Sequence, residues 1–272
     1  MLKKKIIFYI ILIISILLLI YLSLIVYKDI NLKLKNENNQ KPMYEFIENN
    51  KKDIFTIDKI VYFSSANANS SINSNSSFTI EKLYQYTDIA IFINNHSDGN
   101  FTLENTLKSV QLSNVKFETS PSIGTPNLFY KNINNFAKPE YDKNQEIDNT
   151  LEFNITSEDE IDYSSPILYN NCANPITLSY INSNIKESYT LTDTISNISY
   201  DGSLLKKCGI TLNSISCQLS FIVKIVNNLD ETFTCPMIIQ IPLSTEKSTI
   251  YDGNLTLKQD VHDMKDIYKK LH

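Results

Sequence analysis

The sequence predicts an all-β protein: an antiparallel β-sandwich, Ig-like or jelly-roll, preceded by a single N-terminal transmembrane helix. Three observations predict it. Two long stretches near the C-terminus alternate apolar and polar residues with a period of two. Tyr (16) and Phe (13) are abundant while Gly is limited to 5, a composition suited to pleated, half-buried surfaces. Residues 6–26 form an apolar run without a charge.

That run holds only Tyr9, Ser15, Tyr21 and Ser23 as polar residues. At about 1.5 Å per residue it spans the ~30 Å hydrocarbon layer. It is too long for a cleaved signal, and Val26-Tyr27-Lys28-Asp29 offers no small-x-small cleavage site, so residues 1–28 are expected to be an uncleaved signal anchor. Lys3, Lys4 and Lys5 crowd its N-terminal flank and favour a cytoplasmic N-terminus with everything that follows exported. The bilayer is thus the first expected partner. Residues 29–53 are polar and rich in Asn and Lys, and read as a stalk.

The expected β domain covers 54–258. Phe55, Ile57, Val61 and Phe63 share one parity. Residues 64–77 (SSANANSSINSNSS) are low in complexity and are expected to form a loop. Ile89, Ile91 and Ile93 alternate before a turn signal at 94–100. Val110 and Leu112 fall out of phase with Val115 and Phe117, so a bulge is expected near Ser113-Asn114. Residues 121–149 are irregular and long for a loop, which suits a lid or a binding edge. The strongest pair is Ile215–Ile225 with Phe233–Leu243, joined near 227–230 and expected at the middle of the sheet system, covered on both sides. Two smaller β units meeting near 157–170 are the alternative architecture. The apolar spacing of Val261, Met264, Ile267 or Tyr268, and Leu271 fits a short helix at 261–271 within the tail 259–272.

Four cysteines occur, Cys172, Cys208, Cys217 and Cys235, in no metal-binding spacing. In the hairpin register Cys217 faces about Ile239–Ile241 and Cys235 faces about Phe221–Val223, too far apart for a disulfide. A tight turn at Leu212-Asn213 would bring Cys208 opposite Cys217. Outside the membrane this predicts Cys208–Cys217 and Cys172–Cys235, against the alternative of four buried thiols acting as small hydrophobes.

Net charge is −5, but residues 1–41 carry +5 and the remainder −10. All basic residues are Lys; Arg is absent, as is Trp. An acidic domain of this kind is a poor nucleic-acid binder. The heavy use of Asn, Ile, Lys and Tyr reflects A/T-rich codons and points to a low-GC bacterial genome. Scarce glycine argues against a glycine-cradled phosphate site, and no cofactor, catalytic set or metal centre is expected.

Weaker features remain. His96 and Asp98 share a turn but have no spaced nucleophile, and a hydrolase or transpeptidase site would need one beside His96 in a cleft. Glu158-Asp159-Glu160-Ile161-Asp162 is the densest acidic run and lacks the spacing of an EF-hand loop. Tyr200-Asp201-Gly202-Ser203-Leu204 echoes Tyr251-Asp252-Gly253-Asn254-Leu255, either as two similar turns or as two equivalent cation loops. Tyr84, Tyr86, Tyr130 and Tyr141 are candidates for a sugar-stacking platform. Anchor, stalk and β domain together lead to a cell-envelope structural or protein-interaction module, not an enzyme. A carbohydrate- or small-ligand-binding module is the alternative, and it requires an aromatic row or a concave pocket on one sheet. The expected partner beyond the bilayer is an envelope protein or glycan.

Overall fold

The computed structural model describes residues 54–73, 77–95, 102–154, 174–192, 198–243, 249–261 and, for backbone only, 268–269. Residues 6–26, the stalk, His96, Asp98, the acidic run 158–162 and Cys172 lie outside these residues. No helix among the described residues is long and apolar enough to cross a membrane.

The fold is all-β and antiparallel. Ten strands run in chain order: β1 Thr56–Ile72, β2 Phe78–Asn94, β3 Leu107–Thr119, β4 Thr125–Tyr130, β5 Leu151–Asn154, β6 Ile176–Leu191, β7 Cys217–Asn227, β8 Thr232–Ile241, β9 Leu255–Asp260 and β10 Tyr268–Lys269. They form two five-stranded sheets, the first in the order β4-β6-β2-β1-β9 and the second β10-β8-β7-β3-β5.

One apolar cluster joins the two sheets. Ile60, Tyr62, Ile89 and Leu178 of the first sheet pack with Val110, Leu219, Val223 and Ile239 of the second. Aromatic contacts cross the same interface: Phe55 meets Phe233 edge-on at 5.1 Å, and Phe117 meets Tyr180 at 6.0 Å. This burial of large side chains, at about 1.5–3 kcal/mol each, is the main force holding the sheets together. A second cluster lies at the far end of β1, β2 and β6. There Ala66, Ala68, Ile80 and Leu83 are covered by two short helices, α1 Ser203–Lys207 and α2 Leu212–Ile215, with Tyr251 beside them. Buried Thr87 and Gln85 separate the clusters along β2, and the Ser64 hydroxyl lies 2.8 Å from that of Thr87.

The hairpin β7–β8 has the expected register, with Cys217 opposite Ile241 and Cys235 opposite Val223. The bulge expected near Ser113-Asn114 is present: pairing to β7 slips between Ser113 and Lys116, and Asn114 takes a positive φ of 52°.

Five expectations are corrected. Residues 64–72 are not loop but the outer half of β1, which pairs with β2 down to Ile72. Small Ala66 and Ala68 point inward while Asn67 and Asn69 point out, a period of two that low complexity disguises. The shared parity of Phe55, Ile57, Val61 and Phe63 breaks at a bulge between Ile57 and Lys59, after which Ile60 and Tyr62 take the inner face. Among the described residues the outer face of β8 is open to solvent at Ile238, which is 58% exposed, where cover on both sides was expected. Tyr268 and Lys269 pair with β8 as a strand where a tail helix was expected.

The last correction concerns cysteine. Leu212–Ile215 is a helical turn, so the tight hairpin that would place Cys208 opposite Cys217 does not form. Cys208 belongs to the second cluster and Cys217 to the first, and both are buried thiols. Burial pushes the Cys217 thiol up to about 11 and raises that of Cys208. Cys235 is buried on β8.

Candidate functional site

The outer face of the first sheet carries the chemistry. Strand alternation turns Phe63, Ser65, Asn67 and Asn69 of β1 outward. Their partners on β2 are Asp88, Tyr86 and Tyr84, opposite Phe63, Ser65 and Asn67 in turn. On β6, Ser179 faces Asp88 and Ile181 faces Tyr86. On β4, Phe129 lies opposite Ser179 and Asn127 opposite Ile181.

Residues 131–147 fold back over this face. They contain two single-turn 3-10 helices, Ile133–Asn135 and Lys143–Gln145, each opened by a side chain that caps its first turn. The segment has few apolar residues to bury, so polar and aromatic ties hold it. Ile147 N–H donates to the Leu128 carbonyl at 2.8 Å, Phe136 approaches Phe63 at 6.4 Å, and Tyr141 packs on Phe129 at 4.7 Å.

The central tie is ionic. Lys131 Nζ donates to Asp88 Oδ2 at 2.8 Å and Oδ1 at 3.0 Å, with side-chain exposures of 3% for Lys131 and 0% for Asp88. Ser179 donates its hydroxyl to Oδ1 at 2.6 Å, and the Ala137 N–H donates to Oδ2 at 2.8 Å. Lys131 also donates to the Lys138 carbonyl and stands 5.6 Å from the Tyr86 ring centre. Burial pushes the Asp88 carboxyl above its ordinary value, while Lys131, Ser179 and Ala137 pull in the opposite direction. Such a pair gains little over an apolar filling, but losing one partner strands a buried charge.

Beside the cover lies an open groove of about 830 Å³. Phe129 forms its buried floor, with half-buried Tyr84 and Tyr141 on its walls. Asn67, Asn69 and Asn127 present amides to it, and Lys82, Glu140 and Glu146 present charges. Asn127 donates to Glu146, which fixes one rim. A smaller cavity of about 380 Å³ shares Glu140 and Tyr141 with the groove and adds Tyr130, Lys131 and Asn132.

Of the four tyrosines singled out by sequence, Tyr84, Tyr130 and Tyr141 line these two cavities, and Tyr86 is buried beneath the Lys131 ammonium. Sequence reading missed Asn67 and Asn69, hidden in the low-complexity stretch, and the Asp88–Lys131 pair. Asp88 did leave a signal, as the single carboxylate in the run Thr87-Asp88-Ile89-Ala90-Ile91-Phe92-Ile93. A charge on a strand with apolar neighbours on both faces needs a partner.

The two Asp-Gly turns are brought into contact, but as structure. Gly202 N–H donates to the Gly253 carbonyl at 2.9 Å. Asp201 accepts from the Ser203 N–H at 2.9 Å, and Asp252 pairs with Lys206 at 2.9 Å. Both carboxylates are therefore engaged by protein donors. Among the described residues no three His, Cys, Asp or Glu side chains come together as a metal-holding group.

Comparison of the chain with protein-family models, with characterised proteins and with solved structures finds no match.

Proposed function

We propose that this protein is a membrane-tethered carbohydrate-binding module, its β domain a jelly-roll-type sandwich held on the outer side of a bacterial membrane by residues 6–26. The observation that carries the reading is the groove on the first sheet. Tyr84, Tyr141 and Phe129 line it together with Asn, Glu and Lys side chains. Sugar rings bind in this way: their C–H faces lie on aromatic rings, and their hydroxyls replace water at amides and carboxylates. An open groove of about 830 Å³ suits an oligosaccharide better than a compact cofactor. The groove is the feature that puts this reading ahead of a purely structural or protein-interaction role.

The order of the strands supports the jelly-roll reading over the Ig-like one. Only β1–β2 and β7–β8 are joined within one sheet; every other successive pair of described strands lies in opposite sheets. Ig-type sandwiches keep more of their connections as hairpins within a sheet.

The test is binding of the full chain, in detergent or nanodiscs, to an array of envelope polysaccharide fragments. A ligand is expected whose affinity falls about 5- to 10-fold with Tyr141→Ala or Tyr84→Ala, the loss of one stacking contact. The absence of any glycan ligand, or one indifferent to both substitutions, overturns the assignment.

A further inference from the structure

We propose that Lys131 and Asp88 are the two ends of an intramolecular isopeptide bond, an amide from Lys131 Nζ to Asp88 Cγ that welds the cover segment to the centre of the first sheet. The inference is independent of any ligand for the groove.

The geometry comes first. Nζ lies 3.0 and 2.8 Å from the two carboxylate oxygens. That is a bidentate ion pair with Nζ within about 3.3 Å of the carbon between the oxygens, so attack needs only a short swing of the amine out of the carboxylate plane. Both groups sit beneath the cover, shielded from the solvent water that would hydrolyse the product. The carboxyl is also activated on both sides, since the Ser179 hydroxyl donates to Oδ1 and the Ala137 N–H to Oδ2. The Ala137 N–H is positioned to hold the oxyanion that develops on Oδ2, and the Ser179 hydroxyl to assist departure of Oδ1.

The chemistry balances without a further reactant. A proton passes within the pair from the ammonium to the carboxylate, giving amine and carboxylic acid. The same burial that disfavours charge on Asp88 favours this neutral form. The Nζ lone pair attacks Cγ, the N–C bond forms, and the oxygen hydrogen-bonded to Ser179 departs as water with the second amine proton. Lys138 O orients the amine through the contact Lys131 makes with it. The products are a neutral amide and one water, and the cost of keeping two charges in a dry site disappears with the charges. Ser179 and Ala137 act here as positioning residues.

The link has a structural consequence. It closes a loop between residues 43 apart in sequence, and ties β2, the middle strand of its sheet, to a segment with little apolar anchorage. In a domain whose Cys208 and Cys217 are thiols, such a bond supplies a redox-independent staple.

Mass spectrometry of the purified full chain decides the matter. The expected result is a mass one water below the sequence mass after denaturation, together with a branched tryptic peptide joining residues 88 and 131. Lys131→Arg, which keeps the positive charge but cannot form this amide, is expected at its full sequence mass. A wild-type chain at full mass, or a water loss that maps to a succinimide at an Asp-Gly pair instead of to the 88–131 link, overturns the proposal. The wild-type reading stands alone even where the variant fails to fold.

Discussion

The backbone N–H of Gly202 lies 2.9 Å from the carbonyl of Gly253, so two Asp-Gly turns separated by fifty residues of chain are closed against each other. The contact depends on the missing side chain. A Cβ at Gly202 would stand 2.2 Å from that carbonyl oxygen and 2.4 Å from the Tyr251 ring. Neither neighbour yields easily: one is backbone and the other a buried ring at the edge of the second cluster. Gly202→Ala is therefore expected to destabilise by about 2–4 kcal/mol through overpacking and loss of this turn. Gly209→Ala meets no atom within 4 Å, and its cost is confined to a φ of +70°, about 1 kcal/mol. Thermal melts of the two variants should differ clearly; equal losses would show that the turns do not touch.

Lys131→Met should be among the most damaging conservative-volume changes in the chain. It leaves Asp88, with no exposed side-chain surface, without its cation. A loss of about 3–5 kcal/mol is expected; adding Asp88→Asn recovers the part due to the stranded carboxylate but not the part due to the lost link. Denaturant titration of the single and double variants measures this; an additive penalty would place the pair outside the folded core.

Ile238 and Ile239 are chain neighbours with opposite fates. Ile239 is 2% exposed between the sheets, and Ile238 points to solvent. Ile239→Asp is expected to abolish cooperative folding, because a carboxylate replaces a side chain in the shared cluster. Ile238→Asp should change stability by no more than about 0.5 kcal/mol. Circular dichroism of both variants checks the face assignment of β8.

Cys217 and Cys208 should resist alkylation at pH 8 in the native protein and react fully once it is unfolded without reductant. A bridged pair would remain unlabelled in both states. The pH dependence follows from Cys217, whose thiol is raised from its ordinary 9 to about 11 by burial. The folded state holds this proton more tightly than the unfolded chain. Its contribution to stability is thus complete below about pH 9 and is lost as pH rises from 9 to 11. Cys217→Ser should flatten that part of the stability profile.

Much of the fold is legible in the chain because burial on one face of a strand writes itself as a period of two. The β7–β8 hairpin shows this best: Phe221, Val223, Phe233 and Ile239 alternate without interruption, and the register follows from the loop between them. The bulge at Asn114 is equally readable as a phase slip between Leu112 and Val115. The same local logic fails where small residues do the alternating. Ala66 and Ala68 bury little area, so the strand half that supplies Asn67 and Asn69 to the groove reads as a polar loop.

What the sequence determined by itself was therefore the all-β class, the central hairpin and the side chains available for chemistry, since each depends on near neighbours along the chain. What only the tertiary structure decided was which of those side chains meet. Asp88 and Lys131, 43 residues apart, become a buried pair because β2, β4 and β6 lie side by side and the segment after β4 folds back across them. Tyr84 and Tyr141 come to face one groove for the same reason. Pattern along a chain records burial, which is local; it does not record sheet order, which is set by pairing between distant strands.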